Sequence, residues 1–375
     1  MLQQCSKPAP QGNPFRWRRL LFLICAVVPF SPASGVLFIS TADPEFNTTA
    51  PSGNLTGSGW ELQGKWAGYL ATPIAPRYFI SAQHVGGSPG DRFEFRGASY
   101  VAAESYDDPA SDLRIWKIRG QFPAFASIYR TNNEAGRMIV VHGRGTQRGA
   151  PLLVGDEAGG TLKGWLWGNA DGRQRWGENQ VERVFDPGLQ PGQSHAAGQL
   201  LRMTFDAAGG PSEAHLSIGD SSGGLFIRDG VEWKLAGVNY SVEGLYNTTN
   251  SGAGFNAAVF DERGLYKGAE GQWSFVGGAP VNIPGGFYAI RVSSRAAWID
   301  SILVQASTAD TPVLQSAPTP SGPFVVESSA VVNEMERRIV LGASSGIRFY
   351  RIQGVYGLRV TRVSRSGNQV VIEYE

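Results

Sequence analysis

The chain has 375 residues but only two cysteines, Cys5 and Cys25, and both fall within its first 35 positions. Those positions carry an export signal, set out below, whose removal would leave a mature chain without cysteine. That absence excludes a disulfide scaffold, a thiol nucleophile and thiolate metal sites together. Stability must then come from an ordinary core, which the more than 300 remaining residues can supply. A dominant charge is also missing. Thirty-three Lys and Arg face 32 Asp and Glu, a formal charge of +1, so the overall balance points to neither nucleic acid nor a membrane surface. Histidine is scarce, and His142, His195 and His215 share no spacing with carboxylates, so no metal and no cofactor is expected.

Long apolar runs are short of what a bilayer needs. Arg16, Arg18 and Arg19 precede the eleven residues LLFLICAVVPF, Leu20 to Phe30, and the small residues SPASG follow. Eleven residues are too few for a spanning helix, which takes about 20, whereas the order basic, apolar, small is that of a secretory signal. Residues 1–35 are therefore expected to be a signal peptide cleaved near Ala33 to Gly35, with the mature protein extracellular or periplasmic and without a membrane span. Ile24 before Cys25 stands where lipid attachment would need a small residue.

What the chain has in quantity is glycine, 49 residues, and short runs of Val, Ile, Phe, Tyr and Trp between them. From Gly59 to about Gly286 this is an all-β pattern. Strands are expected at Trp66 to Ile74, Tyr78 to Ala82, Arg92 to Ala102, Leu113 to Ile118, Met138 to His142 and Lys234 to Tyr240, with a tight turn at Asp229 and Gly230. One helix is expected in FYAIRVSSRAAWIDSILVQ, where Val292, Ala296, Ile299 and Leu303 share a face. The Ser-, Thr- and Pro-rich segment 307–322 reads as a linker, and 323–375 as a small β module. Trp165, Trp167 and Trp176 are expected to fill a core or cover a sheet.

The chemistry lies in HLSIGDSSGGLFIRDG, His215 to Gly230. GDSSG matches G-x-S-x-G, but the hydrolase elbow of that form needs a later histidine, and none follows Ser222. Upstream, RYFISAQH ends an apolar run at His84, and SDLRIWKI opens another at Asp112, for which a plain turn residue beside Asp107 and Asp108 is the alternative reading. With GDSSGGLF, these segments resemble the chymotrypsin/trypsin-like serine proteases, whose motifs run T-A-A-H, D-I-A-L-L-K-L and G-D-S-G-G-P in that order. PGGFYAIRVSSRAAWIDSIL is similar to the family's passage from P-G-V-Y into its final helix.

The resemblance covers roughly Gly57 to Ile302. It implies a two-barrel chymotrypsin-like fold with a C-terminal helix over residues 36–306, followed by the small β module. It also implies a secreted serine endopeptidase in which Ser221 attacks, His84 exchanges the proton, Asp112 orients His84, and the amides of Gly219 and Ser221 form the oxyanion hole. A monomer acting on a polypeptide is expected. Taking Ser221 as nucleophile keeps Leu225 and Phe226 in register without a gap.

The chain departs from the family at several points. Gln83 replaces an alanine, and Ser222 a glycine whose restoration is expected to keep or raise activity. His215 stands at the pocket base, and Tyr240, Ser241 and Val242 in GVNYSV stand along the specificity wall. No I-V-G-G-type start is visible, so Asp220 is expected to pair with an arginine. The alternative function is an exported pseudoprotease that binds protein without cleaving it.

Overall fold

The computed structural model describes residues 35–155, 159–189, 196–310, 312–333, 336–353 and 358–374. The expected signal peptide, apart from its last residue, and His195 lie outside the described residues.

Two closed six-stranded antiparallel barrels form the body of the protein, the chymotrypsin-like architecture. Around the first barrel the order is Gly64–Trp66, Tyr69–Ala75, Tyr78–Ala82, Leu113–Ile118, Ala98–Asp107 and Arg92–Phe95. The expected single strands at 66–74 and 92–102 are each a hairpin. Ala67 and Arg96 adopt positive φ, 48° and 49°, each beside a glycine, and a paired turn of left-handed residues matches the twist of the flanking strands. Apolar residues meet in the interior, where Phe79 stacks on Phe93 at 4.2 Å and Trp66 tilts against Trp116 at 4.6 Å. Tyr78–Ala82 is buried at every residue, so the strand leading to His84 has almost no freedom to shift.

The second barrel runs Arg175–Phe185, Leu200–Thr204, Gly286–Arg291, Glu232–Val242, Gly224–Asp229 and Met138–Gly143. Its core holds Ile139, Val141, Leu201, Met203, Leu225, Ile227, Phe287 and Ala289. Between Met138–Gly143 and Arg175–Phe185 the chain makes a long hairpin, Thr146–Val154 with Thr161–Ala170. Trp165 lies on it, with the Arg148 guanidinium 4.3 Å from its ring and Phe260 at 5.6 Å, so it covers the sheet.

Phe287 to Arg291, expected in the closing helix, is instead a strand: it pairs with Leu200–Thr204 on one side and Glu232–Val242 on the other. Barrel closure supplies two hydrogen-bonded neighbours, which outweigh a helical spacing of apolar residues. The helix proper is Ala296–Asp310, and Val292 and Ile299 are fully buried against the barrels.

The segment 307–322 is not a bare linker. The helix runs to Asp310, and Val313–Ala317 is a strand paired with Phe349–Gln353. Beyond it a four-stranded sheet contains Val331–Asn333, Arg338–Gly342, Gln369–Tyr374 and Val360–Ser366. Leu314, Ile339, Leu341, Ile372 and Tyr374 give this C-terminal part its own core. Cutting the chain after Asp310 is therefore expected to leave both barrels folded. Near-UV circular dichroism and a cooperative melt of the shortened protein check this, and loss of the melt would show that the barrels need the C-terminal strands.

Candidate active site

His84 sits on the single turn Gln83–Val85 that ends Tyr78–Ala82, Asp112 immediately precedes Leu113–Ile118, and Ser221 lies in the turn before Gly224–Asp229. Two barrels thus bring the three residues together. His84 Nδ1 is 2.5 Å from Asp112 Oδ2, and His84 Nε2 is 2.9 Å from Ser221 Oγ. A carboxylate only accepts, so the imidazole proton belongs on Nδ1 and the Nε2 lone pair faces the serine hydroxyl. The backbone N–H of His84 also donates to Asp112 Oδ1 at 3.1 Å. Asp112 is 1% exposed, while the His84 side chain remains 36% exposed, open to an incoming molecule. Asp107 and Asp108 have other partners, Arg114 and Arg295 respectively.

The two serines of GDSSG have different surroundings. Ser221 Oγ meets His84, whereas Ser222 is buried, with φ +69°, and its Oγ accepts the Ala82 N–H at 3.1 Å. The Ser222 N–H donates to Asn239 O at 2.8 Å. Ser222 therefore occupies a glycine-like conformation, and its hydroxyl bonds the strand leading to His84. Gly223 must be glycine because a Cβ there would lie 2.0 Å from His142 O. Gly219 has φ +94°. Among the described residues neither its amide nor that of Ser221 has an internal acceptor.

Asp220, 1% exposed, holds this turn from behind. Its carboxylate accepts the amides of Gly145 at 2.6 Å and Ser217 at 2.7 Å, and the Ser217 hydroxyl at 3.0 Å. A further bond comes from the Val36 backbone. Burial pushes the carboxyl up to about 7, against which these bonds and the Arg175 charge act. The expected arginine partner is thus corrected. Arg175 contributes only its field, because its guanidinium is bonded to Asp171 and the Pro44 carbonyl. The donors to Asp220 are amides and a hydroxyl, one of them just past the expected signal cleavage.

Of the residues expected along the specificity wall, Tyr240 lies edge-on to His84, ring centroids 5.7 Å apart. Ser241 and Val242 pair with Tyr288 and Phe287. A bulge between Asn239 and Ser241 makes Tyr240 an extra residue in the strand opposite Ala289 and Tyr288. Val242 lines a cavity of about 450 Å³ with Arg202, Glu243, Lys267 and Tyr288, and this lining contains none of His84, Ser221 and His215.

His215 is 1% exposed, packed by Phe205 and Phe287, with Nδ1 2.7 Å from Leu216 O and Nε2 3.2 Å from Gly286 O. Burial pushes it down to about 4. It is an enclosed side chain with a carbonyl oxygen at each ring nitrogen. His142, likewise buried and pushed down to about 4 by burial, is bonded to the Ser58 carbonyl.

Sequence reasoning missed the acceptor role of Ser222, the burial of Val36 against Asp220, and the part played by Gln83. The positive φ of Ser222 had a signal in the glycine that the family carries there. The other two had none, because they depend on distant backbone groups.

No family model matches the chain, and no curated protein matches it in sequence. Among solved structures it is similar to Rv3671c from M. tuberculosis H37Rv in the inactive form of a serine-to-alanine mutant, with 14% identity and a TM-score of 0.37 over 68% of this chain and 96% of that one. It is also similar to a structure of the Rv3671c protease in its inactive form, with 14% identity and a TM-score of 0.35 over 68% of this chain and 98% of that one. Neither likeness bears on the chemistry of this site.

Two expectations follow from the local energetics. Ser222→Ala keeps the cost of a positive φ and strands the buried Ala82 N–H, a loss of about 1–3 kcal/mol. Ser222→Gly loses the same acceptor but relieves the backbone, so the glycine variant should melt above the alanine variant. Equal melting temperatures would show that the hydrogen bond and not the backbone decides. Glu213, 8% exposed, is pushed up to about 8, chiefly by burial. The folded state then holds a proton that the unfolded chain has released, so this stabilisation is present at low pH and lost as pH rises from about 4.5 through 8. Glu213→Gln keeps the acceptor used by Asn179 and the Asp206 amide. Relative to wild type it should be near neutral at pH 4 and stabilised at pH 9 by on the order of 1–3 kcal/mol, read as the difference in melting temperature at the two pH values.

Proposed function

We propose that the chain is a secreted serine endopeptidase that cleaves peptide bonds through an acyl-enzyme. The observation that carries this reading is the unbroken hydrogen-bonded succession from Ser221 Oγ to His84 Nε2 at 2.9 Å and from His84 Nδ1 to Asp112 Oδ2 at 2.5 Å.

In this mechanism Ser221 Oγ attacks the carbonyl carbon while its proton passes to His84 Nε2. The charge developing on the carbonyl oxygen is taken up by the amides of Gly219 and Ser221. A donor of this kind is worth about two to three orders of magnitude in rate. The C–N bond then breaks as His84 returns the proton to the departing amine. Water, deprotonated by His84, attacks the acyl carbon, releases the carboxylic acid product and restores the Ser221 hydroxyl. Asp112 stays ionised throughout and stabilises the imidazolium formed on His84. With His215 enclosed and no aspartate in its place, selection for Arg or Lys side chains is unsupported.

The enclosure of His215, 1% exposed, favours the second reading, a protein-binding pseudoprotease, because that side chain is not open to an incoming molecule. A fluorophosphonate probe separates the two. The wild-type chain should be labelled covalently at Ser221, Ser221→Ala should not be labelled at all, and both should melt alike. A folded wild type that resists labelling would establish the binding reading. Labelling that persists in Ser221→Ala would move the nucleophile elsewhere.

A further inference from the structure

Gln83 stands between the buried strand Tyr78–Ala82 and His84, and its side chain reaches the loop that presents Asp112. The two N–H groups of its amide nitrogen are shared among the carbonyls of Asp108 at 2.9 Å, Ser111 at 2.8 Å and Leu113 at 3.1 Å. Its backbone N–H donates to the Asp112 carbonyl at 2.7 Å. Four carbonyls of one short loop therefore converge on one residue. The far side of the same loop is anchored independently. The Asp108 carboxylate receives the Ala110 amide at 3.0 Å, the Ser111 hydroxyl at 2.5 Å, and the Arg295 guanidinium through Nε at 2.5 Å and Nη2 at 2.6 Å. Arg295 belongs to the turn that enters the final helix.

We propose that Gln83 is a positioning residue, whose side-chain amide fixes the Asp112 loop against His84, with the Arg295 to Asp108 pair as the loop's second anchor. The inference rests on the serine hydrolase reading for its effect on rate. Gln83 touches no substrate; it acts through its neighbour. Because Gln83 and His84 are consecutive, and both bond to the Asp112 loop, slippage between Gln83 and the loop changes the His84 Nδ1 to Asp112 Oδ2 distance directly. The residue type follows from the acceptors. Carbonyls need donors, which an amide has and a carboxylate lacks; glutamate would set a negative charge against three carbonyl oxygens and beside Asp112.

The test is Gln83→Met, which retains length and removes the donors, compared with wild type in the full mature chain. Two readouts are taken. Fluorophosphonate labelling should lose about ten- to a hundredfold in its maximal rate, the size of a sub-ångström to 1 Å misplacement, with the half-saturating probe concentration unchanged. In wild type the proton between His84 Nδ1 and Asp112 Oδ2 is expected far downfield by NMR, and in the variant it should move upfield or vanish by exchange. A structural role alone would lower the melting temperature and leave both readouts in place. If Gln83→Met does not fold, Gln83→Ala, whose small side chain leaves room for water beside the buried carbonyls of Asp108, Ser111 and Leu113, takes its place with the same expectations. Unchanged labelling or an unchanged resonance in a folded variant overturns the proposal. Absence of labelling in wild type overturns the hydrolase reading instead, and the resonance then decides the positioning of Asp112 alone.

Discussion

The arrangement around Ser221 depends on one buried carboxylate. Asp220 is almost inaccessible, and such a group is costly unless hydrogen-bonded. Its donors come from the loop after Met138–Gly143 at Gly145 and from Ser217 within its own turn, and the Val36 backbone also favours its charged form. Satisfying Asp220 therefore draws three segments to one point. The turn 217–223 is held through Asp220, while the amides of Gly219 and Ser221 have no internal acceptor among the described residues.

A second constraint joins the barrels. Gln63 Oε1 accepts the Gly224 amide at 2.9 Å, Ser222 Oγ accepts the Ala82 amide, and the Asp112 amide donates to Ala197 O at 3.3 Å. Each bond joins a first-barrel segment to a second-barrel one close to His84, Asp112 or Ser221. A relative shift of the barrels would break several at once, each costing about 1–3 kcal/mol if its buried group were left unpaired. The spacing between His84 and Ser221 is thus a property of the barrel interface as much as of either turn.

Much of this was legible in the sequence, for physical reasons that differ by element. Tyr78 to Ala82 and Leu113 to Ile118 announced themselves as strands because they are short runs of mostly β-branched, aromatic and other apolar residues, nearly all of them buried. The order of His84, Asp112 and Ser221 was legible because each motif carries its own strand or turn context. Phe287 to Arg291 misled because Val292, Ala296 and Ile299 continue a helical spacing into it, and its strand neighbours lie about 50 and 90 positions away. The hairpin Thr146–Val154 with Thr161–Ala170 was hidden by glycines, which weaken a strand's signature without preventing close backbone approach. At Gly164 a Cβ would lie 2.1 Å from Ala258 O. The acceptors of Gln83 lie 25 to 30 residues on, and no local pattern encodes them.

The enclosure of Val36 beside Asp220 bears on when the site can exist. Val36 is among the earliest described residues to be synthesised, Asp220 comes 184 residues later, and Gly286–Arg291, which closes the second barrel, later still. Loop-closure entropy rises only slowly with such separations, but contacts between distant segments form late, after the intervening strands have collapsed. A nascent or partly unfolded chain therefore carries His84, Asp112 and Ser221 without their mutual geometry. Whatever the three residues do together therefore waits on long-range pairing such as that of Gly286–Arg291 with Leu200–Thr204 and Glu232–Val242.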